Sequence, residues 1–363
     1  MHPFAFLKTD GHLSSSVAGF LKKLLTDKIA DAVLAAAPTP YSLLPMPTLF
    51  TDPEQIEKAN PLAPAAPFNT ARQAASILKH ETGKRIALVL RPCEIRALVE
   101  LTKLKQCVLE NTIIIGVKCL GRMENAVYLE ASSQNANLTQ AFYDDPVLQD
   151  RICSSCAICT RFQPVHADIS LSVIGMSANE SIGLSAETDV GLAVLKQLGF
   201  ETCDAPEGRK DAVNRLLEKR ESAKTAALET TKNKTDSIEK FQRYFADCLN
   251  CHNCRVACPV CYCRECVFLT DVFAHDPEVL LRRASKKGMV KLPTDTTMFH
   301  MTRMAHMAHA CVACGHCSSV CPSHIPVADV FIRVAEEIQN LYAYEPGRDL
   351  SEAIPLLVFD EGV

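Results

Sequence analysis

Cys248, Cys251, Cys254 and Cys258, followed by Pro259, make the run C-x2-C-x2-C-x3-C-P, and Cys311, Cys314, Cys317, Cys321 and Pro322 repeat it. A cubane [4Fe-4S] cluster needs four thiolates, one on each iron. Two-residue gaps let a tight loop wrap three corners, and where two such runs pair, the fourth cysteine of each serves the other cluster. The pattern therefore predicts one cluster on Cys248, Cys251, Cys254 and Cys321 and another on Cys311, Cys314, Cys317 and Cys258. Crossed ligation keeps the two close enough for electrons to hop. Zinc ribbons, the rival, would use two C-x2-C pairs and need neither a third cysteine in register nor the proline.

Cys153, Cys156 and Cys159 give C-x2-C-x2-C with no fourth cysteine three residues on, so a third cluster there must borrow a remote thiolate. The candidates are Cys119 first and Cys93 second, then Cys107 and Cys203; buried thiols without ligand duty are the alternative for each. Cys261, Cys263 and Cys266 crowd directly behind Pro259. With one N-terminal thiolate they would complete a fourth cluster, against structural zinc or free thiols. His300, His306, His309 and His316 read as structural or cluster-tuning residues. Met298, Met301, Met304 and Met307 read as the polarizable apolar shell of a cluster.

The elements that must hold these residues fall into two modules. Residues 1–206 read as an α/β module: a helix near Val17 to Leu25, another from about Ala71, and a strand, helix, strand unit. In that unit Ile86 to Leu90 and Thr112 to Ile115 are buried strands, and Pro92 opens a helix carrying Ile95, Leu98, Val99 and Leu101. The proline-rich stretch Pro38 to Pro67 reads as a surface excursion or lid. Residues 207–240 turn to Lys, Glu, Arg, Thr and Ala, the pattern of a charged helical linker. Residues 241–345 read as an α-helical two-[4Fe-4S] module with helices near Val279 to Arg283 and Met298 to Ala310, and 346–363 as a tail.

Composition bounds the rest. Apolar residues make up 48% of 363, enough for a sizeable core, yet runs such as Ile86 to Leu90 are far short of the roughly 18 residues of a membrane span. A mixed-sign formal charge of −4 argues against a nucleic-acid partner. Met1 to Asp10 shows no signal-peptide pattern. In a chain expected to stay in the cytoplasm, 18 cysteines mean metal or redox chemistry far more than disulfides.

Arg91-Pro92-Cys93-Glu94-Ile95-Arg96-Ala97-Leu98, then Gly116-Val117-Lys118-Cys119, then the Cys153 triplet with Phe162 and Ala167-Asp168-Ile169-Ser170 follow one another in the N-terminal module. In that order the motifs resemble the beta-subunit family of coenzyme F420 hydrogenases and dehydrogenases, over roughly residues 10 to 206. The resemblance implies FAD beside a [4Fe-4S] cluster in this module. The C-terminal spacing resembles the iron–sulfur subunits of heterodisulfide reductase and succinate dehydrogenase, which implies a relay. The expected whole is an anaerobic oxidoreductase subunit. Its FAD exchanges two electrons with a soluble F420-type or ferredoxin carrier, and its clusters pass single electrons to a heterodisulfide reductase-like, hydrogenase or formate dehydrogenase subunit. The alternative is a flavin-free adaptor; a further one is a reductase of its own small substrate.

Overall fold

The structure, a computed structural model, describes residues 3–263, 265–270, 276–290 and 296–355. Its N-terminal half is built on seven strands: β1 (Phe4–Lys8), β2 (Ala32–Thr39), β3 (Ser42–Phe50), β4 (Ile86–Leu90), β5 (Thr112–Val117), β6 (Ile169–Ser172) and β7 (Ser181–Ala186). They form one mixed sheet in the order β1-β7-β6-β5-β4-β2-β3. The centre is parallel, β2 with β4, β4 with β5 and β5 with β6, while β1, β7 and β3 are antiparallel to their neighbours. All five residues of β4 are buried, as expected of a strand covered on both faces.

The helices around the sheet are α1 (Leu13–Thr26), α2 (Ala71–Ile77), α3 (Pro92–Lys103), α4 (Asn125–Gln134), α5 (Leu138–Asp144), α6 (Pro146–Gln149), α7 (Ser154–Ala157) and α8 (Asp189–Gln197). Then come α9 (Arg209–Thr235), α10 (Ile238–Tyr244), α11 (Asn253–Val256), α12 (Pro277–Lys287), α13 (Thr296–Met307), α14 (His316–Ser319) and α15 (Val327–Leu341). Pro92 occupies the first turn of α3, where its missing N–H costs nothing, and Glu94 closes a capping box by accepting from Arg91 N at 2.8 Å. The same carboxylate accepts from Thr70 N and Oγ1. The turn that presents Arg91 and Cys93 is thereby fixed.

The stretch Pro38 to Pro67 is not a lid. Most of its first half is the β2–β3 hairpin, and Leu62, Ala63 and Ala65 are buried behind it. The prolines misled because β3 is an edge strand, where Pro45 and Pro47 cost no interior ladder bond.

Two apolar cores flank the sheet. One joins α1 and α8 to its strands through Phe20, Leu24, Leu195, Ile113, Ile169 and Leu184. The other runs from Leu88, Leu90, Ile95 and Leu98 straight into Phe245, Phe299, Val330 and Phe331. The cysteine-rich half is thus packed on α3 in a continuous core. A buried joint adds to it: Glu100, fully enclosed, accepts from Lys103 Nζ at 3.0 Å, Tyr344 Oη at 2.7 Å and Gly347 N at 2.8 Å.

Candidate metal centres

The two runs C-x2-C-x2-C-x3-C-P each form a loop that leads into a single turn of helix, α11 and α14, and α13 lies against both. The structure gathers the thiols across the runs. Cys254 lies in electrostatic reach of Cys248, Cys251 and Cys321. Cys314 lies in reach of Cys258, Cys311 and Cys317, and Cys317 in reach of Cys254 as well. One cavity is lined by Cys258, Cys311, Cys314 and Cys317 together, with Met307 and Phe331 as apolar walls.

Arg303 on α13 stands between the two groups. Its side chain is 1% exposed, stacks over the Phe331 ring at 4.1 Å, and is in hydrogen-bonding reach of both Cys258 and Cys317. Among the described residues, its Nε and Nη1 have no hydrogen-bond partner. A bare buried guanidinium is costly, and thiolates or an anionic iron–sulfur core are what would offset it. The four thiols lining one site, with an enclosed guanidinium beside them, fit such a core.

His300 serves the other group. Its Nε2 is 3.3 Å from Cys248 Sγ, and its ring stacks on Phe245 at 3.9 Å. Burial, then the charges of Arg303 and His252, push its pKa down to about 3, so the ring is neutral and donates through Nε2 when Cys248 is a thiolate. Met307 lines the thiol cavity, but Met298 and Met301 are exposed. A spacing of three drifts around a helix of 3.6 residues per turn, so four methionines in that register cannot all face one cluster.

In the N-terminal half, α7 opens at Cys153, whose S–H donates to Cys156; with Arg122 beside it, the Cys156 thiol falls to about 6. Cys119, one residue beyond Lys118 at the end of β5, lies in reach of Cys156, and Cys93 in reach of Cys119, Cys156 and Cys314. Leu90 pairs with Gly116 in the β4–β5 register, which brings Cys93 and Cys119 to the same end of the sheet. Cys159 borders a cleft that Cys311 and Arg96 also line, and its carbonyl shares Arg220 Nη1 with that of Cys119. Cys107 is buried beside Thr102, and Cys203 is exposed on a bridge to Phe4.

Two further buried arginines attend this group. Arg91 donates to the carbonyls of Ala63 and Ala65 and faces Cys119, while Arg122 donates to Ser319 Oγ at 2.8 Å and faces Cys153, Cys156 and Cys314. Arg220 on α9 is 3% exposed and donates to the carbonyls of Leu120 at 2.7 Å and Cys159 at 3.1 Å. The charged helix is therefore anchored on the loops that carry these thiols. Sequence reasoning missed the roles of Arg122, Arg220 and Arg303. An arginine read from sequence looks like solvated surface until its neighbours are known.

Cys261, Cys263 and Cys266 line one open cleft. The facing wall carries His306 and His309 rather than the expected N-terminal thiolate; among the described residues the N-terminal half contributes Leu104. Cys261 also donates to Cys258, which with Arg303 drops to about 6. Among the described residues no three His, Cys, Asp or Glu side chains converge as ligands of one metal ion. A cubane spreads its four thiolates over four irons and asks for a wider ring.

The 4Fe-4S dicluster domain family matches residues 244–325. The chain is similar to the F420-dependent formate dehydrogenase subunit beta of Methanocaldococcus jannaschii, 24% identical, covering 93% of this chain and 92% of that protein. It is 29% identical to the F420-dependent formate dehydrogenase 1 subunit beta of Methanococcus maripaludis, covering 96% and 94%. A chain of the F420-reducing [NiFe] hydrogenase complex from Methanosarcina barkeri aligns with a TM-score of 0.47 and 14% identity, over 66% of this chain and 94% of that one. With relatives matched almost end to end and a dicluster domain in the expected place, the chain is an oxidoreductase subunit similar to the beta subunits of F420-dependent formate dehydrogenases, as the resemblance to the coenzyme F420 hydrogenase and dehydrogenase beta-subunit family implies.

Proposed function

We propose that the chain is the electron-transfer subunit of an anaerobic, cytoplasmic redox complex. It connects a soluble two-electron carrier to a formate dehydrogenase, hydrogenase or heterodisulfide reductase-like partner. The observation that carries this reading is the succession of thiol groups. The Cys153, Cys156 and Cys119 group, with Cys93, adjoins the Cys258, Cys311, Cys314 and Cys317 group through Cys93 and Cys314. That group adjoins Cys248, Cys251, Cys254 and Cys321 through Cys317 and Cys254. Three [4Fe-4S] clusters on these sets would stand in line, Cys119 being the favoured remote ligand of the first and Cys159 completing it. A bound FAD supplies the exchange between a hydride and single electrons. The names of both formate dehydrogenase relatives favour an F420-type carrier over ferredoxin.

The residues' part is to hold the clusters near one another and to neutralise their charge. Arg91 and Arg122 lie at the first set, and Arg303 lies between the second and third. Among the described residues no helix is long and apolar enough to cross a membrane. The test is anaerobic purification followed by iron, zinc, acid-labile sulfide and flavin per chain. About 12 iron with one FAD is expected, and about 16 if the Cys261, Cys263 and Cys266 cleft holds a fourth cluster. About eight iron and no flavin would replace this reading with the flavin-free adaptor.

A further inference from the structure

The long helix α9 begins at an open cleft between its first turn, the end of β5 and β7. Lys118, the residue after β5, and Arg209, the first residue of α9, both line it, and each is 9% exposed. Among the described residues, Nε and Nη2 of Arg209 have no hydrogen-bond partner; the guanidinium lies 4.9 Å over the Phe4 ring. Two enclosed cations side by side are unfavourable unless an anion joins them. Glu187, half-buried, acts on both, whereas Lys210, Glu207 and Asp211 sit exposed on the rim.

The helix adds its own field. α9 runs for 27 residues, and its cap Gly208, at φ 80°, carries no side chain to occupy the first N–H groups. A Cβ built on Gly208 would meet nothing within 4 Å, so that end is open. Free N–H groups and the positive end of a helix dipole make an anion seat. The cleft also lies beyond the C-terminal end of a parallel strand, where ligands of α/β sheets collect. Cys119 follows Lys118 directly, and Arg220, about 16 Å further along α9, grips the Cys119 loop. One helix therefore touches both the anion seat and the first thiol group.

We propose that this cleft binds the phosphate or pyrophosphate of a nucleotide-type redox cofactor, held by Lys118, Arg209 and the first N–H groups of α9. The proposal rests on the flavoprotein reading above and gives that cofactor an address on the electron path. The same chemistry would serve a resident FAD or a diffusible phosphate-bearing carrier.

The experiment uses the full chain purified without oxygen, with flavin released by heat and then FAD, ADP or pyrophosphate titrated back. Arg209→Gln and Lys118→Met are each expected to weaken FAD about tenfold to a hundredfold, since each removes one charge-assisted contact, with iron per chain unchanged. Arg209→Lys should recover part of the loss. Lys210→Glu, on the exposed rim where folding is not at stake, should weaken binding severalfold. FAD bound with wild-type affinity by all four variants overturns the assignment while leaving the flavoprotein reading intact. If the wild type takes no FAD but binds ADP or pyrophosphate, and the variants lose that binding, the cleft stands for a diffusible carrier and the resident flavin falls. Absence of binding by all three probes overturns the cleft.

Discussion

The two thiol regions use one electrostatic device in two different architectures. Cys156 receives a hydrogen bond from Cys153 and faces Arg122; Cys258 receives one from Cys261 and faces Arg303; both thiols fall to about 6. In the C-terminal half, however, eight thiols come from two short loops clamped by α13 and α15. In the N-terminal half they come from the first turn of α3, the end of β5 and the loop at α7, places that only the sheet brings together. The difference teaches which ligand sets spacing can announce. A loop-borne set is written as a motif, and a sheet-borne set is written as strand register.

The strongest way to break that comparison is to remove one set and count what stays. Replacing Cys311 and Cys314 together by Ala is expected to remove about four iron per chain and leave the Cys153 set loaded. Replacing Cys153 and Cys156 together should remove about four and leave the C-terminal pair. Iron analysis with low-temperature electron paramagnetic resonance reads both. Loss of all iron from either double variant would mean that the regions assemble as one unit.

The joint between the regions gives the next effect. Glu100→Ala strips the carboxylate partner from Lys103, whose side chain is 4% exposed, and frees Tyr344 and Gly347. A cost of about 3–5 kcal/mol is expected, measured by urea denaturation of the anaerobic protein, because a buried charge is left uncompensated. Replacing Lys103 by Met in the same chain should return part of it.

These effects track what was legible beforehand. The strand Ile86–Leu90 was readable from its unbroken apolar run, and the start of α3 from Pro92, because local pattern and burial agree there. The hairpin within Pro38 to Pro67 was not, since prolines on an edge strand look like prolines in a loop. The C-terminal quartets stood out by spacing. That Cys93 and Cys119 come together depends on β4 pairing with β5, which no spacing records. His309 and the three buried arginines beside thiols depend on packing from distant elements, and their types alone favour a solvated face.

Arg303 sharpens the comparison at its finest grain. Because it reaches Cys258 and Cys317 and faces Cys254, one side chain bears on two thiol groups, whereas Arg91 and Arg122 divide the duty at the first set. A positive charge beside a cluster stabilises the reduced, more negative form, so its removal lowers the reduction potential. Arg303→Met, close in length and apolar, is expected to lower the potentials of both C-terminal clusters by on the order of 60 mV, a tenfold change in a one-electron equilibrium. The first cluster should shift less. Arg303→Lys keeps the charge but loses the planar fork that reaches two sulfurs, so it should restore only part of the shift. A redox titration followed by electron paramagnetic resonance separates the three. A shift confined to one cluster would show that Arg303 belongs to a single set, and that the two C-terminal thiol groups are electrostatically independent.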